Sequence, residues 1–376
     1  MAILLADTAN IFWKTHRVFR GYAYLPHSLA DEPVLFVIRP NELDIPGVQY
    51  IRKPEQIPAK LEELGMELPA TLGLELDELP YSQAIRLQKV FPGAKVENVS
   101  VRIREARMIK TPREIKLIRE DCRKHAMAYE RIPKLYRTGM SDIEFQIEIE
   151  RVLRQEGCLG YLRTYGGMME INMGSVLNGA NADVPSPYDF AVGGGGADLS
   201  LPVGADGEIM NPGTTVMVDM NGNFNGYQSD LTRTYAIGDL PQFAYHAHEV
   251  ARHILRELEH IGVPGYPVAE MYQKAVSIAR DHGLAEYFMG HRQQAGFIGH
   301  GVGIQLNEWP VIAPKSRHRL EEGMVIALEP KFVIPAVPSK THKPVGAVGL
   351  ENTYLVTADG LENLTTTPEE IVTLID

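Results

Sequence analysis

Cysteine is scarce in this chain of 376 residues, which has only Cys122 and Cys158. Two cysteines exclude a disulfide framework, a cysteine-built zinc site and a Cys-x-x-Cys redox pair, and fit two reduced thiols in a core. Positive charge is also in deficit, with 37 Lys and Arg against 48 Asp and Glu and a formal net charge of −11. That balance argues against nucleic acid or an anionic membrane as a main partner, because both call for a basic footprint. No run approaches the ~18 apolar residues of a membrane span. The opening MAILLADTANIF lacks the basic segment and the small-residue cleavage pattern of a signal peptide. A cytoplasmic protein is the expectation. Histidine is absent from a long central stretch, with none between His125 and His246.

What is present is ordinary for a folded globular protein, with 44% hydrophobic and 23% charged residues. The length predicts two domains. Residues 1–105 alternate strand-like PVLFVIRP, helical EQIPAKLEELG and strand-like AKVENVSV, as in a small α/β domain. His16 and His27 stand there without an acidic cluster. Residues 106–376 form the second domain. Thr111, Pro112 and Glu114 make a capping box that opens a helix expected to end near Thr138-Gly139. Ser141 and Glu144 open a second helix, expected to run to Gly157. Residues 160–215 are loop-rich. Their run of four glycines, Gly193 to Gly196, is followed by no Gly-Lys-Ser/Thr, so it is no phosphate loop. It suits either a flexible loop or a close approach of backbone to a neighbour. Strand patterns, two helices across about 241–285, and further strands follow, so that helix–helix–strands occurs twice.

Chemistry concentrates in the second domain. TVMVDMNGNFNGYQSDLTRTYAIG reads as a β-hairpin. With Phe224-Asn225 at its centre, Asp219 and Asp230 would stand directly opposite each other. Facing carboxylates are destabilising unless a cation lies between them. His300, in FIGHGVGIQLNEWP, is an imidazole flanked by glycines that let backbone approach a site. Glu329 interrupts the apolar run MVIALEP, and Glu351 interrupts AVGLENTYLVT; buried carboxylates of this kind demand partners. Two Asp, two Glu and one His suit a pair of divalent cations, with Mn, Fe, Co or Zn more natural than Mg.

The order Asp-(x)10-Asp, then GHGVG, ALEP and LENTYLVT, resembles the pita-bread metallohydrolases: methionine aminopeptidase, aminopeptidase P, prolidase and creatinase. The likeness covers roughly residues 105–370, including the opening ARMIKTPREI. Residues 1–105 look like a shortened N-terminal domain of the creatinase/prolidase type. The resemblance implies an α/β (α+β) protein whose C-terminal pita-bread fold carries Asp219, Asp230, His300, Glu329 and Glu351 as metal ligands. Asp230 and Glu351 would bridge two divalent ions, manganese favoured, and Asp219 would hold one ion through both oxygens. His300 and Glu329 would complete the two shells. Glu329 would also be the catalytic proton shuttle for a hydroxide held between the ions. A homodimer is the family's habit.

The surrounding residues depart from the family's peptidases. These carry a histidine shortly upstream of the first Asp, where this chain reads GGGGADLSLPVG. A second histidine precedes their Glu-x-Pro; here the residue is Asn307, whose amide can bind substrate by hydrogen bonds but cannot shuttle a proton near neutral pH. Prolidase-like members place another histidine four residues before the metal-bound one, where Gly296 stands. They often have an arginine two residues before the last Glu, where Gly349 stands. His291 either substitutes for one of these histidines or belongs to a surface His-Arg pair. The expected activity is an Xaa-Pro dipeptidase or aminopeptidase acting on a small peptide. Alternatives are a creatinase-like enzyme for a small C–N substrate, and a metal-binding pseudoenzyme.

Overall fold

The computed structural model describes residues 1–335 and 344–376. The chain divides into two compact units, Met1–Arg107 and Met108–Asp376. In the first, one sheet orders its strands as Gln49–Tyr50, Val34–Arg39, Arg20–Leu25, Ala2–Leu5, Thr71–Leu74 and Lys95–Asn98. Alternation sends Leu4, Tyr24, Phe36 and Leu72 to one face, under helices Ile57–Glu63 and Tyr81–Val90. Ile3, Leu5, Leu25 and Val37 go to the other, with Ile11 and Ile103 of helices Thr8–Thr15 and Ser100–Met108. Both faces are covered, which explains the near-continuous apolar strands. The sequence expectation of a strand through Val101 is corrected, because Ser100 already begins a helix. Buried Glu75 accepts hydrogen bonds from the Ala6 and Asp7 N–H groups and from Asn10 Nδ2. It ties the sheet to the start of helix Thr8–Thr15.

The second unit begins with helix Pro112–Tyr129, closed at its start by the Thr111/Glu114 box. It stops at Tyr129, well short of the expected Thr138-Gly139. Pro133 cannot donate to the Tyr129 carbonyl, and a short 3-10 turn at Ile132–Lys134 replaces the helix. Helix Asp142–Gln155 follows with its Ser141/Glu144 box. Ile132, Phe145, Ile149 and Val152 pack on Val216, Val218, Leu231 and Tyr235. The sheet beneath them orders Val372–Leu374, Ser229–Ile237, Thr214–Gly222 and Gly174–Asn178. Helices Gln242–Ile261 and Val268–Asp281 then share a core with Ile326, Leu328, Phe332 and Val348. The accompanying sheet orders Glu308–Val311, Gly299–Gly301, Val325–Leu328, Asn352–Thr357 and Gly360–Asn363. A two-stranded ladder pairs Lys331–Ile334 with Gly346–Gly349. A helix pair followed by strands thus occurs twice.

The two halves meet along a seam. Thr215 N–H donates to the Val345 carbonyl at 2.8 Å, Thr234 Oγ1 to the Gly349 carbonyl at 2.7 Å, and Thr232 bridges Glu351. Along strand Thr214–Gly222, Val216, Val218 and Met220 face the helices, so Met217, Asp219 and Asn221 face the seam. The four-glycine run is a packed turn. Gly194 and Gly196 have φ of 73° and 68°, and a Cβ on Gly196 would lie 2.3 Å from the Leu201 carbonyl oxygen.

Candidate metal centre

The hairpin that carries the two aspartates has a longer turn than the sequence suggested. Strand Thr214–Gly222 pairs with Ser229–Ile237 in a register that sets Asp219 opposite Thr232 and Asn221 opposite Asp230. The expectation that Asp219 and Asp230 stand directly opposite is therefore corrected. They lie diagonally on one face, because Asn223–Gln228 forms a six-residue turn. Contacts to helix Pro112–Tyr129 fix it. The Asp121 carboxylate accepts from Phe224 N–H at 2.5 Å and from Ser229 Oγ at 2.7 Å. Ser229 Oγ also lies 3.0 Å from His125 Nδ1. Burial pushes Asp121 up to about 7 and His125 down to about 3. Two backbone bonds tie Asp230 to Thr353: its N–H donates to Thr353 Oγ1 at 3.0 Å, and its carbonyl accepts from that hydroxyl at 2.9 Å.

The five residues singled out in the sequence come together from separate strands. His300, in Gly299–Gly301, places Nε2 3.6 Å from Asp230 Oδ2 and 3.6 Å from Glu329 Oε1. Glu329 follows Val325–Leu328, and Glu351 precedes Asn352–Thr357. Two triads of ligating atoms result, each with all atoms within 4.8 Å of one another: Asp230, His300 and Glu351, and Asp219, Glu329 and Glu351. Glu351 belongs to both. Its Oε2 accepts from Thr232 Oγ1 at 2.8 Å, while its Oε1 is buried with no hydrogen-bond partner among the described residues. An orphaned carboxylate oxygen beside an imidazole and a second carboxylate fits a cation. Burial, then the neighbouring carboxylates, raises Asp230 well above the ordinary aspartate value. Burial is also the main cause that lifts Glu329 and brings Glu351 to about 7.

One residue of the centre escaped sequence reasoning. Lys331 is fully buried, and its Nζ donates to Glu329 Oε2 at 2.7 Å, Asp219 Oδ2 at 2.8 Å and Glu351 Oε2 at 3.2 Å. Burial alone would lower its pKa, but Asp219, Glu329 and Glu351 outweigh it and hold the ammonium well above the ordinary lysine value. The available signal was a second charge in the apolar run MVIALEPKFVIP. Lys331 stands opposite Gly349 in its ladder. A Cβ on Gly349 would fall 2.7 Å from Lys331 Cα and 2.5 Å from the Pro330 carbonyl oxygen. The missing side chain at 349 is therefore the space the lysine backbone uses. Arg233, also unforeseen, is buried and donates to the carbonyls of Thr232 and Glu351 and to Asn352 Oδ1, fixing the approach to Glu351.

The remaining sequence candidates lie at the margins. Asn307 Oδ1 accepts from Tyr165 N–H at 2.7 Å, and its Nδ2 donates to the Tyr165 carbonyl at 2.8 Å. Leu306 N–H donates to the Arg163 carbonyl, and Gln305 Nε2 to that of Thr164. Residues 305–307 thus hold segment 163–165. His291 is exposed, 3.1 Å from Asp183 Oδ2, and stacks on Tyr287. Gly296 is exposed, with open space where a side chain would be.

Comparison with known proteins places this geometry among related chains. The profile of metallopeptidase family M24 matches residues 116–358, and that of the creatinase/prolidase N-terminal domain matches residues 1–109. An Xaa-Pro dipeptidase of Pyrococcus horikoshii is 26% identical over 380 residues, covering 99% of this chain and 94% of its own length. Prolidase from Pyrococcus horikoshii OT3 superposes with a TM-score of 0.77 at 23% identity, over 99% of this chain and 95% of that one. X-Pro aminopeptidase from Thermotoga maritima gives 0.78 at 18% identity, over 99% and 97%. The pita-bread fold with its smaller N-terminal domain is the architecture of this chain.

Proposed function

Since the chain belongs to metallopeptidase family M24, we propose that it is a divalent-metal-dependent hydrolase cutting the amide bond of Xaa-Pro dipeptides or short Xaa-Pro peptides. The observation that carries this is the convergence of Asp219, Asp230, His300, Glu329 and Glu351 into two triads that share Glu351, one buried oxygen of which has no hydrogen-bond partner among the described residues. We assign these five as the ligand set. A divalent ion there would polarise the scissile carbonyl and make the attacking water acidic near neutral pH. Two such ions serve the family, and manganese suits a donor set of four carboxylates and one imidazole.

The chain's own groups supply positioning and proton transfer. Glu329 is the residue we assign to the proton. Burial raises its pKa, and Lys331 anchors its Oε2 at 2.7 Å. Its Oε1 is left to accept a proton from the attacking water and pass it to the departing amine. Thr232 Oγ1 and Arg233 orient Glu351 from behind. Asn307 serves substrate binding through segment 163–165, which it holds by two hydrogen bonds. We propose a cytoplasmic homodimer as the setting; no helix among the described residues is long and apolar enough to cross a membrane.

A creatinase-like reaction on a small C–N substrate is the second reading. It is favoured by the absence of histidine between His125 and His246 and by a lysine among the carboxylates. A panel of Xaa-Pro dipeptides, peptides with proline second, and small amidines and ureas separates the two at saturating Mn2+ or Co2+. Release of proline or of the N-terminal residue is expected. Turnover of the C–N compounds alone would overturn the peptidase assignment, and no turnover of any substrate would leave a metal-binding pseudoenzyme.

A further inference from the structure

We infer that the Lys331 ammonium takes the place of one of the two family cations, so that the centre of this chain is completed by a single divalent ion held by Asp230, His300 and Glu351. This rests on the metal-hydrolase assignment and changes its stoichiometry. The three carboxylates that Lys331 meets, Asp219, Glu329 and Glu351, are the members of one of the two ligand triads. A lysine ammonium has three protons to donate, and here each has its own carboxylate. The side chain is sealed from solvent. It enters opposite Gly349, where any side chain would press on the lysine backbone. The residue that opens the space and the residue that fills it thus face each other across one ladder.

Charge leads to the same stoichiometry. Counted formally, four carboxylates and one ammonium carry −3 in this pocket. One divalent ion brings this to −1. A second would bring it to +1 and would have to share Asp219, Glu329 and Glu351 with an ammonium of like charge. Among the described residues the other triad has no such substitute. Its shared member, Glu351, keeps an oxygen with no donor among them, and that is where a cation is wanted.

The test is metal stoichiometry on the full chain. Protein stripped with chelator is dialysed against rising Co2+, and bound metal is measured by mass spectrometry. One ion per chain is expected at saturation for the wild type, and two for K331A. Two ions in the wild type, or one in a folded K331A, would overturn the inference while leaving the hydrolase assignment standing. No ion in either protein would overturn both. Should K331A fail to fold, Mn2+-loaded wild type decides through its electron paramagnetic resonance. An isolated-ion spectrum supports the substitution, and an exchange-coupled pair refutes it.

Discussion

Lys110 and Glu308 form a buried ion pair at 3.2 Å, their side chains only 1% and 6% exposed. Lys110 lies in the IKTP opening of the second unit, and Glu308 closes the loop that runs from His300 through Asn307. The Glu308 carboxylate accepts from Gln305 N–H at 3.1 Å and fills the space beside Gly303, where a Cβ would come within 2.5 Å of it. Replacing Lys110 with Met keeps the stem and removes the charge, leaving a buried carboxylate without the ammonium beside it. Deleting one partner of a buried pair costs about 3–5 kcal/mol. The Gln305 N–H still donates, so the low end, about 3 kcal/mol, is expected. For a domain of this size that corresponds to a fall in Tm of roughly 6–12 °C. Urea unfolding at neutral pH measures it. K110M/E308Q should recover much of it. A loss under about 1 kcal/mol would show that the pair is screened and that the loop is held by other contacts.

Asp230→Ala removes a carboxylate from the triad that retains the partnerless oxygen, and should reduce bound metal to none in the dialysis assay; retention of the wild-type stoichiometry would show the site to be misassigned. Asp121 has a folded pKa of about 7, raised by burial above its ordinary value of 3.8. Its contribution is therefore fully present below about pH 4 and lost as pH rises through 7. Asn can accept from Phe224 N–H and donate to Ser229 Oγ without that dependence. D121N should therefore gain on the wild type between pH 4 and 7 in thermal melts, and parallel profiles would refute the assignment. Gly349→Ala adds a Cβ 2.5 Å from the Pro330 carbonyl oxygen at a φ of 148°, so a loss of more than about 1 kcal/mol is expected, together with altered metal affinity through Lys331. An unchanged melt would show that the ladder relaxes freely.

Much of this centre was legible in the sequence because its signals are local. A carboxylate that interrupts an apolar run, as Glu329 and Glu351 do, is conspicuous because burying it alone is costly. Thr111 and Ser141 with their Glu partners three residues on declare helix starts, since a cap is satisfied within one turn. The family pattern followed from the order of such signals along the chain. Tertiary structure decided everything that depends on distant pairing. The hairpin register was set by a turn that Asp121, about a hundred residues away, holds open through Phe224 and Ser229. The fold engages both ends of the Asn307 amide with Tyr165, 142 positions away, a pairing that no local pattern announces. Lys331 reads as one polar residue at the edge of a strand until the ladder opposite Gly349 and the seam to Asp219 bring three carboxylates around it. The sequence alone marked Glu329 and Glu351 as buried charges, because each interrupts a local apolar run. Only the fold decided which charges neutralise one another, because Coulomb attraction depends on distance through space.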